Sequence, residues 1–297
     1  MSSLVVGSLF LIVALVASEN CGAMRVVVSG AGGQTGKAAF LKMLARPNEF
    51  TPLGLVRSPE SRDALLEQAG CPPESVIVCD VTDEEECTKI PPFDAMIIGT
   101  SAKPSPTGET NEETGRPVFG FPNGQPERVD WIGQKNQIDA ALRQGKDTQV
   151  VICSSMGGTD PEHMLNQIGK EMLPDGTSTG GNILRWKRKA EVYLIESGLP
   201  YTIVHPGGLL NEAGGVRELV IGVDDNMEGT GSDNRSIPRE DVAEVLVQSL
   251  LCKGYRNRSF DLRSKPEGEG EVTTDFEALI SRLDGANCDY SLGVTGA

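Results

Sequence analysis

Gly30, Gly33 and Gly36 are the residues whose type and spacing most directly imply chemistry. They lie in Val28-Ser29-Gly30-Ala31-Gly32-Gly33-Gln34-Thr35-Gly36, directly after a β-branched run and directly before a helical pattern. In a G-x-x-G-x-x-G array the first glycine permits a tight turn, and the second lets the backbone approach a pyrophosphate. The third allows close packing of the helix on its strand. The N–H groups of Gly32, Gly33, Gln34 and Thr35 would then meet phosphates at the positive end of the helix. Glycine-rich turns are common, so the weight comes from context. This one joins the first strand of an alternating pattern to the first helix, and it predicts a dinucleotide site.

The residues after the next strands refine that expectation. A site built for a free ribose 2′-hydroxyl places Asp or Glu after the second strand. Here Pro52–Val56 ends in Arg57-Ser58, with no carboxylate at that position. A guanidinium holds a 2′-phosphate through charge-assisted, bidentate bonds, so Arg57, helped by Ser58, Arg62 or Lys37, favours NADP(H). The competing account of Arg57 is a solvated helix-start arginine. Asp80-Val81-Thr82 follows the third strand and either meets the adenine amino edge or caps the helix starting at Asp83. Thr100-Ser101-Ala102 ends the fourth strand, where small residues let the backbone reach the ribose.

These residues need a scaffold, and the pattern supplies one. Apolar strands are expected at Arg25–Ser29, Pro52–Val56, Ser75–Cys79, Asp94–Gly99, Thr148–Ser154, Pro200–His205 and Ser259–Leu262. Helical patterns fall at Gly33–Leu44, Pro59–Gln68, Pro126–Arg143, Asn182–Ser197, Arg239–Leu251 and Thr274–Leu283. Apolar runs without polar alternation mark strands covered on both faces. The alternation therefore predicts an α/β, doubly wound parallel sheet of order 3-2-1-4-5-6-7, with a small C-terminal cap. Two segments rich in Gly and Pro, Ser101–Gly124 and Gly157–Gly181, interrupt the rhythm and are expected to be irregular lids or binding loops.

Composition sets outer limits. The 297 residues carry 27 Lys+Arg against 42 Asp+Glu, a net charge of 27 − 42 = −15. This opposes binding to a nucleic-acid backbone, while one or two arginines in a cleft still suffice for a nucleotide. With only His163 and His205, multi-histidine metal sites are excluded and no metal is expected. Seven cysteines without a CxxC pair suit reduced thiols. At the front, Leu4–Val16 is an apolar run too short to span a bilayer comfortably and long enough for a signal-peptide core. Residues 1–23 are accordingly read as a hydrophobic leader and 24–297 as the folded domain. The leader points to a secretory, endomembrane or plastid address, and translation from Met24 would instead give a cytoplasmic protein. No stable membrane span is expected once the leader is removed.

Taken together, these segments resemble the atypical branch of the short-chain dehydrogenases/reductases, the NAD(P)H-binding, NmrA-like Rossmann proteins. The likeness is greatest to plant and algal NADP-binding proteins related to the chloroplast translocon's redox subunit. Val129–Asp139, Ser155–Thr159, Trp186–Glu191 and Gly207–Leu210 extend it to about Leu283. The resemblance implies hydride transfer to a small acceptor. It implies that Ser155 takes the place of the family serine, that Lys187 holds the nicotinamide ribose, and that Pro206-Gly207 turns its backbone to the nicotinamide. The competing account of Lys187 is a solvated helix lysine. Classical members of the superfamily carry Tyr four residues before that Lys, as proton donor. Here Ile183 stands there, and none of Tyr193, Tyr201, Tyr255 and Tyr290 has Lys four residues on. Two functions follow: an oxidoreductase acting without the tyrosine, or a non-catalytic NADP(H) sensor or scaffold that recruits a partner through 101–124 and 157–181.

Overall fold

The computed structural model describes residues 22–112, 114–227 and 235–293. Strands and crossover helices alternate as β1 (Met24–Ser29), α1 (Gln34–Leu44), β2 (Phe50–Val56), α2 (Pro59–Ala69), β3 (Val76–Val78), α3 (Glu84–Thr88) and β4 (Ala95–Ile98). An antiparallel ribbon of β5 (Ser105–Thr110) and β6 (Pro117–Gly120) comes next. It precedes a helix that is π-wound over Glu127–Gly133 and regular over α4 (Gln134–Gln144). Then come β7 (Gln149–Cys153), α5 (Met164–Gln167), a second ribbon of β8 (Lys170–Met172) and β9 (Ser178–Gly180), α6 (Ile183–Glu196) and β10 (Tyr201–Pro206). The chain closes with β11 (Gly208–Leu210), β12 (Leu219–Gly222), β13 (Ser236–Pro238), α7 (Arg239–Leu251), β14 (Arg258–Ser264) and α8 (Phe276–Ser281).

The central sheet runs β12-β14-β10-β7-β4-β1-β2-β3. Its seven parallel strands take the predicted order, and β12, which the sequence pattern did not announce, pairs antiparallel with β14 at the edge. Alternate residues of one strand feed two cores. Val26 and Val28 pack with Phe40 and Met43 of α1 and with Val242 and Leu246 of α7. Val27 faces the other way, with Met96, Ile152, Ile138 of α4 and Leu194 of α6. Helices on both faces are thus the physical reason the strands read as unbroken apolar runs. The cap is α8 and the following tail: Leu279, Ile280 and Leu283 join the α7-side core, and Cys288 N–H bonds to Ser259 beside β14.

One expectation needs correction. The segments expected to be irregular each fold into an antiparallel ribbon, and backbone pairing supplies order that no apolar periodicity signals. The leader falls almost wholly outside the described residues.

The site is positioned by a backbone-to-backbone crossing. Gly30 adopts φ +67°, and a Cβ there would lie 2.7 Å from the Gly99 carbonyl oxygen. A Cβ on Gly36 would lie 2.4 Å from the Gly30 oxygen. Nothing flexible can give way at that point, because the opposing atoms are main chain. Gly36→Ala should therefore cost about 3 kcal/mol of unfolding free energy, through overpacking. Gly70→Ala removes a helix-end glycine whose strained φ has open space around it, and it should cost less. Urea denaturation of both variants checks this; equal losses would show that the crossing is not the constraint.

Candidate functional site

A cleft of about 390 Å³ opens at the C-terminal ends of β1, β2 and β4. Gly30, Gly32 and Gly33 form one wall, Arg57, Asp80 and Val81 a second, and Thr100, Ser101 and Ala102 a third. Gly33 caps α1 with extended backbone and no side-chain bond to the first turn, which carries no acidic residue. The helix therefore presents unsatisfied N–H groups and positive partial charge at the cleft. Gln34 Nε2 donates to Asn211 Oδ1 at 3.2 Å, and that oxygen also accepts from Arg239 Nη1 at 2.6 Å, so the chain after β11 is tied to the start of α1. Thr35 and Gly36 lie behind the cleft in the first turn.

Arg57 Nη1 donates to the Asn123 carbonyl at 2.7 Å and draws the 123–124 backbone over the cleft. Lys103 and Arg128 line it as well, and Arg128 Nε donates to Thr82 Oγ1 at 3.2 Å. Three cations against Asp80 make this cleft locally basic in an acidic chain. Arg128 and Lys103 were not singled out in the sequence, because only helix packing and loop path bring them here. The proposed helpers of Arg57 need correcting. Arg62 is spent on the carbonyls of Val76 and Pro73, and Lys37 on Gln68 Oε1. Ser58 caps α2, accepting from Ser61 N–H at 3.2 Å. Asp83 is the cap of α3, whereas Asp80 closes a local turn on Thr82 N–H and Oγ1 at 2.9 and 2.8 Å.

Behind the third wall lies a buried ion pair. Asp130 Oδ2 accepts the Ala102 N–H at 2.9 Å, and its Oδ1 stands 2.8 Å from Lys187 Nζ. Lys187 is buried, not solvated, and its ammonium makes no well-angled hydrogen bond, so donors remain for a further acceptor. Gln137 Nε2 donates to Thr100 Oγ1 at 3.0 Å and fixes the same loop. Lys187 and Ser155 share a smaller cavity of about 10 Å³ with Ser154, Glu191 and His205. Ser155 Oγ donates to the Met156 carbonyl at 3.0 Å. Pro206 and Gly207 line neither cavity: the Pro206 oxygen accepts from Met156 N–H at 3.1 Å, and Gly207 N–H donates to Leu262 O at 2.9 Å. Among the described residues no tyrosine lines either cavity. Ile183 packs with Ala102, Phe121 and Leu184 in a small apolar cluster.

The smaller cavity has its own electrostatics. Glu191 Oε1 accepts from Ser154 Oγ, and Oε2 lies 3.1 Å from His205 Nε2. Burial alone would neutralise both groups. Their mutual attraction wins, holding Glu191 down at about 2 and His205 well above its ordinary 6.5. Burial pushes the Cys153 thiol up to about 11, which keeps it unreactive at neutral pH.

The family model described as NAD(P)H-binding matches residues 30–253. The chain belongs to this NAD(P)H-binding family. It is 45% identical over 280 residues to the sanguinarine reductase of Eschscholzia californica, covering 88% of this chain and 96% of that protein. It is 44% identical over 263 residues to an uncharacterized chloroplastic protein of Arabidopsis thaliana, covering 88% and 75%. Among solved structures it is similar to a putative NAD-dependent epimerase/dehydratase from Bacillus halodurans, with TM-score 0.60, 22% identity and coverage of 88% and 100%. A short-chain dehydrogenase/reductase from Veillonella parvula in complex with NADP matches with TM-score 0.51, 15% identity and coverage of 85% and 99%. At those identities the structural likeness shows the fold alone.

The cleft fits an NAD(P)H-binding protein on its own terms: an uncapped helix start, a glycine cradle that side chains would fill, and three lining cations. Lys187 and Asp130 should unfold as a coupled unit. Asp130→Asn alone, which strands a buried ammonium, should lose about 3–5 kcal/mol in urea. Combining it with Lys187→Met should lose clearly less than the sum of the single losses. Strict additivity would show that the pair is not coupled.

Proposed function

We propose that this protein is an NADPH-dependent reductase whose acceptor needs no proton from a tyrosine. The observation that carries this reading is a glycine- and cation-lined cofactor cleft together with an apolar Ile183 cluster at the position where classical short-chain members hold their tyrosine. Bound NADPH would supply a hydride. A quinone, a flavin or a cationic C=N group accepts one with any accompanying proton drawn from water, whereas a simple ketone needs an acid at its oxygen. The 45% identical relative, named as a reductase of sanguinarine, supports reductase chemistry. In this reading Arg57 grips the 2′-phosphate, and Arg128 and Lys103 lend their charge. The Gly30–Gly36 turn holds the pyrophosphate, Lys187 the nicotinamide ribose, and Ser155 the acceptor.

A second cleft, of about 720 Å³, lies between the two ribbons and is lined by Phe119, Phe121, Pro117, Met164 and Ile168. It meets the first through the 121–124 backbone, and its mixed lining, with Glu109, Arg116, Lys170 and Glu171 beside the apolar side chains, suits a planar acceptor that carries polar substituents. Relatives named as chloroplastic favour a plastid address for the apolar front segment. Among the described residues no helix is long and apolar enough to cross a membrane.

Cofactor choice and turnover test this reading separately. Arg57→Ala should weaken NADPH binding about 10- to 100-fold and leave NADH within about 2-fold, as expected for one charged hydrogen-bonding partner. Equal losses would remove the case for NADP(H). With NADPH saturating, quinones, flavins and sanguinarine should turn over, while simple ketones should not. The Ser155→Ala and Lys187→Ala variants should slow whichever acceptor works. Tight NADPH binding without turnover of any acceptor would instead favour a cofactor-responsive scaffold that recruits a protein through the two ribbons.

A further inference from the structure

His205, Asp261 and Cys288 converge on one buried point from β10, β14 and the tail after α8. His205 Nδ1 lies 3.4 Å from Asp261 Oδ1, Cys288 Sγ lies 3.6 Å from the same Nδ1, and Sγ to Oδ1 is 3.9 Å. Zinc-class metals bind imidazole nitrogen, carboxylate oxygen and thiolate sulfur tetrahedrally. The ordinary bond lengths then make the edges of the ligand triangle roughly 3.4, 3.6 and 3.6 Å. Two edges of the protein's triangle match, and the third is only slightly long. We propose that these three side chains form a binding site for a divalent transition-metal ion of the zinc class.

The surroundings have the form of a metal site's supporting shell. Ligating histidines commonly place their second ring nitrogen on a carboxylate, which orients the ring and raises its basicity. Here His205 Nε2 meets Glu191 Oε2 at 3.1 Å, and Glu191 is itself held by Ser154. The second oxygen of Asp261 accepts the Asp225 N–H at 2.7 Å, which points Oδ1 at the triangle. The Cys288 N–H is fixed by Ser259 Oγ at 3.1 Å. All three ligands border the cavity of about 10 Å³ that Ser155 and Lys187 also line, room for one water-sized fourth ligand. Three protein ligands with one open position is the arrangement of zinc sites that do chemistry. One nitrogen, one oxygen and one sulfur disfavour Mg²⁺ and Ca²⁺, which take oxygen. A site with a single histidine is not covered by the exclusion of multi-histidine sites, and Cys288 joins it only because the tail folds back on β14.

In this arrangement the metal takes the place of the imidazolium proton on Nδ1 and of the thiol proton on Sγ, and it pins the tail to the sheet. The alternative occupant of His205 Nδ1 is that proton, with no metal at all. The full chain, stripped with a chelator and titrated with Co²⁺, distinguishes them. One equivalent should develop a thiolate-to-cobalt charge-transfer band together with visible bands of tetrahedral intensity, and Zn²⁺ should displace both. Cys288→Ser should abolish the charge-transfer band, and Cys71→Ser should leave it intact. Glu191→Gln should weaken the metal roughly 10- to 100-fold. Near-ultraviolet circular dichroism of the apo-variants shows whether they are folded, and Asp261→Asn gives a second ligand deletion. No saturable band in the unmutated protein, or a band that survives in folded Cys288→Ser, overturns the proposal. Neither arm uses NADPH, so the result is independent of the reductase reading.

Discussion

Main chain must touch main chain where α1 leaves β1, and the remainder of the cofactor wall depends on that contact. Gly36 lies against the Gly30 carbonyl, and Gly99 presses on the end of β1, with a Cβ there only 2.9 Å from the Ser29 oxygen. Three elements therefore meet without side chains between them. The approach puts the open N–H groups of α1 directly over the carboxyl ends of the strands, the end at which open α/β sheets bind ligands. Any side chain at the crossing would lift the helix and move the positive end of its dipole away. Global charge plays no part at this scale. A chain of net charge −15 can still present a phosphate site, because the donors are backbone amides and three nearby cations.

Asp130 performs the corresponding task on the other wall. It sits in the π-wound turns before α4, an irregularity that recurs at functional sites. One oxygen holds the loop after β4 through Ala102, and the other faces Lys187 on α6. A buried pair of this kind gains little net stability over an apolar pair, since desolvation offsets much of the attraction. What it adds is position: Lys187 cannot swing to solvent without stranding a buried carboxylate, so the ammonium stays behind the third wall, at the smaller cavity.

Much of this was legible in the sequence, for a physical reason that also explains the failures. Strands buried on both faces must be apolar throughout, so β1, β4, β7 and β10 announce themselves. The glycine turn is local, and its geometry follows from residue type. By contrast, β5 is exposed along nearly its whole length, so no burial pattern could reveal it. The edge strand β12 is only partly covered. Ion-pair partners are set by tertiary packing and were equally hidden. Nothing local to Lys187 names Asp130, and nothing local to Arg62 shows that it bonds two backbone carbonyls and does not line the cleft. His205 meets Glu191 and Asp261, and the third member of its cluster comes from the tail.

One ridge of α6 draws the two cavities together. Ile183, Lys187 and Glu191 follow one another at four-residue spacing and so lie on one side of the helix. The first packs against Ala102 of the cofactor loop and Phe121 beyond the ribbon, the second faces Asp130, and the third holds His205. Apolar, cationic and anionic positions thus succeed one another along a single helix face. Where classical short-chain members would carry a tyrosine, the ridge carries Ile183, buried against Ala102, Phe121 and Leu184. The ionisable groups begin one turn later, Lys187 facing Asp130 and Glu191 holding His205. A carbonyl substrate of the proposed reductase would find no tyrosine hydroxyl at that turn. An acceptor that holds its own positive charge, or spreads the incoming negative charge over a conjugated ring, has no need of one.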